Sequence, residues 1–409
     1  MKKLSLSTKI IIGLILGIIA GLALQGQVEF VNTWIKPFGL VFLSAIKMVT
    51  PPLVLVSIIL GTASMADPAT LGRVGGKTMV FYLFSATMAT TVGLVIARIF
   101  NPGLGLSIPV GATFTPKEPV SMVQTLLNMI PTNPFAALAN GDMLQIIVFA
   151  LLVGAAITVA GDKAKLIKDV CESFNEVMFK IVNFVMYLAP FFIFCLIVPV
   201  VASNGPAVLL PLLKVIIAVF VACTIYGLVF YGIYVKFLGH YSWKKWLVGF
   251  APAMLVAFST SSSNATLPVS LKCTQENLGV SKEVSSFCLC VGATVNMDGT
   301  AIYQGVCALF IAQVYGIDLS FAQQATVVFT AVLASIGTAG VPGAGLIMLT
   351  MVMQSVGLPL EGLALVAGID RILDMIRTTV NVMGDAVCAV IVQDGENRRA
   401  VKETKTVGA

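Results

Sequence analysis

The sequence predicts an all-α polytopic membrane protein with eight transmembrane helices plus two re-entrant helical hairpins. Three observations predict it. Of 409 residues, 58% are hydrophobic and only 11% charged, whereas a soluble surface draws on ~25% charged residues. That excludes a soluble enzyme and, with a mean hydropathy of +0.97, a disordered chain. Apolar stretches recur at about the ~20-residue length that crosses ~30 Å of hydrocarbon. Polar, Gly-rich breaks then interrupt three stretches in the C-terminal half, a pattern that membrane-depth backbone tolerates only beside protein or water.

The candidate spans run at 10–25, 38–62, 79–99, 144–160, 178–202, 208–235, 285–314 and 362–392. The first follows Lys2, Lys3 and Lys9 and so imitates a signal peptide. Its apolar run is at the upper limit of that class and more spans follow, so a retained helix is expected. With alternating spans, most of the 25 Lys and Arg fall on one side, Lys163, Lys165, Lys168, Arg398 and Arg399 among them. The loops near 202–207 and 355–360 carry none. By the positive-inside rule, a multi-pass protein of the cell (inner) membrane with both termini cytoplasmic is expected.

Residues 247–271 begin apolar, pass through Ser259-Thr260-Ser261-Ser262-Ser263-Asn264, and turn apolar again around Leu267. Residues 323–355 do the same around the stretch from Ser335 to Gly345. Each half is too short to cross alone, so two re-entrant hairpins are expected. A third break, Asn296-Met297-Asp298-Gly299-Thr300, interrupts the span at 285–314. Discontinuous helices of this kind are a sequence pointer to a transporter's binding site.

The last span carries Asp370, Arg371, Asp374, Arg377 and Asp385 within 16 residues. At ~100° per residue, Asp370, Asp374, Arg377, Thr378, Asn381 and Asp385 fall in a sector roughly 100° wide. Leu373, Ile376, Val380 and Met383 take the opposite side. Asp374 and Arg377, at i,i+3, fit a structural ion pair. Ionisable groups at membrane depth cost ~2.5–3.5 kcal/mol each on insertion scales, so a whole stripe of polar groups marks a pathway instead. The Arg377 fork matches a carboxylate bidentately, and Asp374 is placed to take an ammonium. The pair describes a pocket for a solute bearing both charges, such as an acidic amino acid. Asn296, Asp298, Asn381 and Asp385 offer hard oxygens with no sulfur or imidazole, which suits an alkali or alkaline-earth ion. Few formal charges point to a monovalent one. A capped helix end is the alternative reading of Asn296-Met297-Asp298-Gly299.

Weaker signals carry no chemistry. The eight cysteines form no CxxC pair and read as small buried apolar residues. Gly75-Gly76-Lys77-Thr78 ends like a phosphate-binding loop, but residue 71 is leucine where the first glycine belongs. The chain is expected neither to be an enzyme nor to bind nucleic acid. Asn264-Ala265-Thr266 matches a glycosylation acceptor but lies at an expected hairpin tip.

Ser261-Ser262-Ser263-Asn264-Ala265-Thr266-Leu267-Pro268, Asn296-Met297-Asp298-Gly299-Thr300, the stretch from Ser335 to Gly345 and the last span together carry a resemblance. The chain resembles the dicarboxylate/amino acid:cation symporters, the glutamate transporter homologues, over essentially its whole length. The resemblance implies a homotrimer with inverted repeats, a scaffold domain at 1–75 and 106–202, and a transport domain at 76–105 and 203–395. The latter would hold the sixth span, hairpin 1 at 243–277, a broken seventh span at 282–314, hairpin 2 at 319–357 and an eighth span at 359–394. Residues 396–409 would be a cytoplasmic tail. The transport domain would move like an elevator, with hairpin 2 as the extracellular gate.

By the same resemblance, Arg377 would hold the substrate side-chain carboxylate with Thr300, and Asp374 the ammonium with Thr378. Asn381 and Ser263 would hold the main-chain carboxylate, Ser261 replaces an arginine of some archaeal members, and Val341 and Gly345 would close over the substrate. One sodium site would use Gly292, Asn296, Asn381 and Asp385. A second would use Thr294, Ser335, Ile336 and Thr338, and a third Tyr82, Ser85, Asn296 and Asp298. Ala86 stands where many relatives carry a serine of that third site. Gln304 replaces the glutamate that animal members link to proton movement. Dicarboxylate carriers of the family lack the Asp374 equivalent and neutral amino acid carriers lack that of Arg377, so both together imply glutamate or aspartate. The implied function is a secondary active symporter, driven by co-transported Na+. The alternatives are a proton-coupled acidic amino acid or dicarboxylate carrier, or an ion channel passing current without stoichiometric solute movement.

Overall fold

The computed structural model describes residues 6–63, 71–106, 130–335 and 343–407, and these contain helices and connections but no strand. In chain order the main helices are α1 Leu6–Ala23, α2 Lys36–Ala63, α3 Leu71–Phe100, α4 Pro134–Asn140, α5 Met143–Ala160 and α6 Lys165–Asn204. Then come α7 Leu209–Phe237, which includes one π turn, α8 Trp243–Thr260, α9 Ser263–Lys272, α10 Lys282–Val295 and α11 Asp298–Val314. The chain finishes with α12 Phe321–Ser335, α13 Ala344–Ser355, α14 Leu363–Ala367 and α15 Asp370–Val407.

Two of the three expected interruptions coincide with helix ends, and most of the third, at 336–342, lies outside the described residues. The serine run separates α8 from α9, with Ser261 in the left-handed region at φ 51° and the Ser262 hydroxyl accepting from the Ala265 amide to cap α9. Asn296 and Met297 separate α10 from α11, so two helix ends face each other across a two-residue gap. The last element differs from expectation. The single stretch at 362–392 resolves into α14 and α15, and α15 continues to Val407 through the polar residues that follow the apolar run. α6 is 40 residues long, ~60 Å at 1.5 Å per residue. It exceeds the expected 178–202 because its charged first half prolongs the helix beyond any hydrocarbon layer.

Two packing groups emerge. α1, α2, α5 and α6 pack mainly on one another, whereas α3 lies against α11, and α8, α10 and α11 surround α15. α1 approaches α6 through Gly13, Gly17 and Gly21, one turn apart, and a Cβ at Gly21 would stand 2.6 Å from the Val201 Cβ. Small residues at four-residue spacing let helices close in without a hydrophobic driving force. α11 is the innermost element, buried at every position but Gln313. Leu373, Val380 and Met383 on the apolar side of α15 are buried like its polar side, so this helix runs through the protein interior rather than along its edge.

The outer surface is apolar: Ile19, Val80, Phe184 and Leu255 are each more than half exposed. Among the described residues, three helices are long and apolar enough to cross a membrane, at Val74–Phe100, Leu209–Phe237 and Asp370–Arg399. The pair Ile12–Ala23 and Gln25–Phe42, bent by 75°, makes a fourth if it counts as one span. The seventh expected span does not qualify because its two halves are separate helices. Seven cysteines are buried as expected, but Cys290 is exposed.

Candidate functional site

The site forms where α15 meets the gap between α10 and α11. Arg377 is 1% exposed. Its Nη1 donates to Asp370 Oδ1 at 2.8 Å and Nη2 to Asp370 Oδ2 at 3.4 Å. Nε and Nη2 both reach Asp374 Oδ1 at 2.9 Å. The guanidinium lies over the Tyr303 ring, 4.3 Å from its centroid, where the π face adds attraction to a desolvated cation. Asp374 Oδ2 also accepts the Gly343 amide at 3.0 Å and pairs with Arg371 at 3.4 Å. Two carboxylates and two guanidiniums thus form one buried, charge-balanced cluster. Such pairing is what makes ionised groups tolerable away from water.

Gly345 opens α13 directly against this cluster, since a Cβ there would stand 2.6 Å from Arg377 Cζ. Beside it, Asn381 Oδ1 accepts the Gly299 amide at 2.8 Å and the Thr300 amide at 3.4 Å. Asn381 therefore satisfies orphan donors in the first turn of α11. Its Nδ2 reaches Thr300 Oγ1 at 3.3 Å and Met297 Sδ at 3.1 Å.

One turn further along α15, Asn296 Nδ2 donates to Asp385 Oδ1 at 2.9 Å and to the Asn381 carbonyl at 3.0 Å. Gly292 leaves the room for this, because a Cβ there would overlap Asp385 Oδ1 and come within 2.6 Å of the Tyr82 hydroxyl. On the other side of the gap, Asp298 Oδ2 accepts from Ser85 and from Tyr231, the latter at 2.6 Å. Tyr226 closes the network by donating to the Ser85 carbonyl at 2.7 Å. Asn296 Oδ1 and Asp298 Oδ1 are buried and have no hydrogen-bond partner. A buried acceptor left unpaired is costly, and two such oxygens beside Asp385 and the carbonyl end of α10 make a cation-attracting pocket. Among the described residues, no three His, Cys, Asp or Glu side chains converge as a metal cluster.

The structure brings together Arg377, Asp374 and Gly345, then Asn381 and Thr300, then Gly292, Asn296, Asn381 and Asp385, and finally Ser85 and Asp298. Thr378 on α15 and Ser263 on α9 are buried. Ser261 is buried with its hydroxyl unpartnered. Tyr82 lies beside Gly292 and Asp385, with its hydroxyl donating to the Cys288 carbonyl at 2.8 Å. Thr294 and Ser335 bond to carbonyls of their own helices, Val291 and Val332. Ile336, Thr338 and Val341 lie outside the described residues.

Sequence reasoning missed Tyr303, Tyr226 and Tyr231, because nothing in their local pattern ties them to a stripe tens of residues away. Asp370 was on the stripe, seven residues before Arg377, and its two-turn spacing was the available signal.

A family model described as the sodium:dicarboxylate symporter family matches residues 6–394. The chain is 38% identical over 407 residues to the proton/sodium-glutamate symport protein of Geobacillus stearothermophilus, covering 97% of this chain and 96% of the relative. It is 35% identical to the proton/glutamate-aspartate symporter of Escherichia coli K12, covering 97% and 94%. The C4-dicarboxylate transport protein of Bacillus subtilis is 32% identical, covering 99% and 96%.

Proposed function

The chain belongs to the sodium:dicarboxylate symporter family, and from that premise we propose that it takes up glutamate or aspartate together with sodium ions. As a member it is a cation-coupled symporter of acidic substrates, not an enzyme. The observation that carries the finer reading is the juxtaposition of the Asp370–Asp374–Arg371–Arg377 cluster with the unpaired Asn296 and Asp298 oxygens.

With its four groups ionised the cluster is neutral. An acidic amino acid adds a net negative charge to a buried site that already holds Asp298 and Asp385, which is unfavourable at low dielectric unless cations enter too. Inside the cluster, the solute exchanges partners with the protein. Its side-chain carboxylate takes Arg377 from Asp370 or Asp374, and its ammonium takes the Asp374 oxygens that Arg377 gives up. Thr300 and Asn381, with Thr378 and Ser263, supply neutral contacts for the main-chain carboxylate. Asp374 favours an amino acid over a C4 dicarboxylate because only the former brings a cation to match it. Sodium would sit at Gly292, Asn296, Asn381 and Asp385, with a further ion between Ser85, Asn296 and Asp298.

The two packing groups support a division into a scaffold (α1, α2, α5 and α6) and a transport unit (α3 and α7 to α15) that moves as an elevator, with α8–α9 and α12–α13 as the two hairpins. Three chains would assemble as a trimer. Uptake of radiolabelled aspartate and glutamate into liposomes, with sodium and pH gradients imposed separately, tests the reading. An inward sodium gradient should drive accumulation at symmetric pH and unlabelled succinate should compete poorly. Accumulation indifferent to sodium would sink it, and a response to the proton gradient alone would favour proton coupling.

A further inference from the structure

A groove of about 590 Å³ runs between α3 and α12, away from the site. One wall is a single stripe of α3, Thr87, Thr91, Leu94, Val95 and Arg98, and the other a stripe of α12 from Phe321 to Val332. Both threonine hydroxyls are already committed, donating to the Leu83 and Thr87 carbonyls of their own helix at 2.7 and 2.8 Å. Gln324 likewise donates to the Leu319 carbonyl at 2.7 Å. What remains along the walls is hydrocarbon, with one full charge, Arg98, in the last turn of α3. Arg98 is exposed and has no ion pair or hydrogen bond to another described residue.

Thr87 to Arg98 spans eleven residues, ~16 Å at 1.5 Å each. That is close to one leaflet of a ~30 Å hydrocarbon core. Arginine near a helix end turns its head to the membrane boundary, where it meets headgroups. We propose that the groove between α3 and α12 is a binding site for one anionic phospholipid, its acyl chain along the two stripes and its phosphate on Arg98. The occupant is a lipid rather than a water-borne solute because, apart from Arg98 and the Gln324 amide, the described walls are hydrocarbon and hydroxyls already bonded to their own helix. It is an anionic lipid because, among the described lining residues, the one full charge is positive and has no described ion-pair partner. A bound lipid would brace α12 against α3. The inference needs only immersion in a membrane and stands whatever solute is carried.

The test uses the full chain reconstituted in vesicles of equal phosphatidylcholine and phosphatidylglycerol, then released and weighed by native mass spectrometry. One phosphatidylglycerol per chain should be retained in preference to phosphatidylcholine. Arg98→Gln should cut that preference about fivefold, the equivalent of the ~1 kcal/mol that a basic side chain contributes at an anionic surface. Val328→Trp, or the milder Ala325→Leu, should displace the lipid with Arg98 intact, while Lys36→Gln on α2 should leave it bound. Equal retention of both lipids, or retention unaffected by Arg98→Gln and by both filling variants, overturns the proposal. So does cross-linking of Val95→Cys to residues 107–129, which would make the groove a seat for the chain itself.

Discussion

In the proposed mechanism Arg377 and Asp385 divide the chemistry between them, one facing the solute and the other its cation. In Arg377→Cys the guanidinium that binds Asp370 and Asp374 is gone, and both carboxylates lose their counter-charge. Truncating one member of a buried hydrogen-bonded pair costs about 2–5 kcal/mol. Aspartate binding, measured by calorimetry in saturating sodium, is therefore expected to fall at least thirtyfold, while a neutral amino acid gains entry to the enlarged pocket. Unchanged aspartate affinity would show the carboxylate contact to be elsewhere. Asp385→Asn removes a charge but keeps the shape around Asn296 Nδ2. Sodium titration should shift to higher concentration, and aspartate affinity at saturating sodium should hardly change. Should sodium affinity survive intact, Asp385 is no cation ligand. Asp370 shows how far a sequence discloses such detail: its place on the stripe was legible, its bidentate hold on Arg377 was not. A two-turn spacing permits contact but does not say which of several carboxylates the arginine chooses.

At the scale of elements, the breaks matter more than the helices. α10 and α11 end where they do because Asn296 and Met297 adopt non-helical backbone, and Asn381 from α15 then satisfies the exposed amides of α11. The N-terminus of α13 is held by Gly345 against the Arg377 guanidinium. Gly345→Ala puts a methyl into that contact, so either Arg377 shifts off Asp370 or α13 retreats. Since a well-packed interior tolerates added volume poorly, at ~1–3 kcal/mol, aspartate affinity should drop five- to a hundredfold with sodium affinity less affected. Equal affinity in the variant would mean that α13 yields freely and does not seat the substrate. The serine run and the Asn296 break were legible as polar interruptions of apolar runs. The splitting of the last span into α14 and α15 was not, because residues 362–392 read as one stretch and nothing polar marks Gly368.

For the whole molecule, the consequence is linkage. If sodium and the acidic amino acid share one buried, charge-limited site, each must raise the affinity of the other by the same factor. Thermal unfolding of the purified protein in detergent reads this directly. A ligand at ~100 times its dissociation constant stabilises by about 2.7 kcal/mol. Aspartate alone in potassium should leave the unfolding temperature nearly unchanged, sodium alone should raise it modestly, and both together should raise it by more than the sum. Simple additivity would mean that the sites do not communicate, and the coupling proposed above would fail. α1, α2, α5 and α6 pack mainly on one another, so in the proposed elevator α3 and α7 to α15 would be the unit in which such a site travels.

Composition and periodicity by themselves settled that the chain is a helical membrane protein, that helices break at the serine run and at Asn296, and that the final helix carries a polar stripe at membrane depth. These are one-dimensional facts, fixed by the thickness of hydrocarbon and the pitch of a helix. Only the tertiary structure decided which groups meet. It placed Tyr303 under Arg377, joined Tyr226 and Tyr231 to Ser85 and Asp298, moved Tyr82 beside Gly292, and buried both faces of α15. Those contacts depend on how separate helices cross, and no local pattern records a crossing.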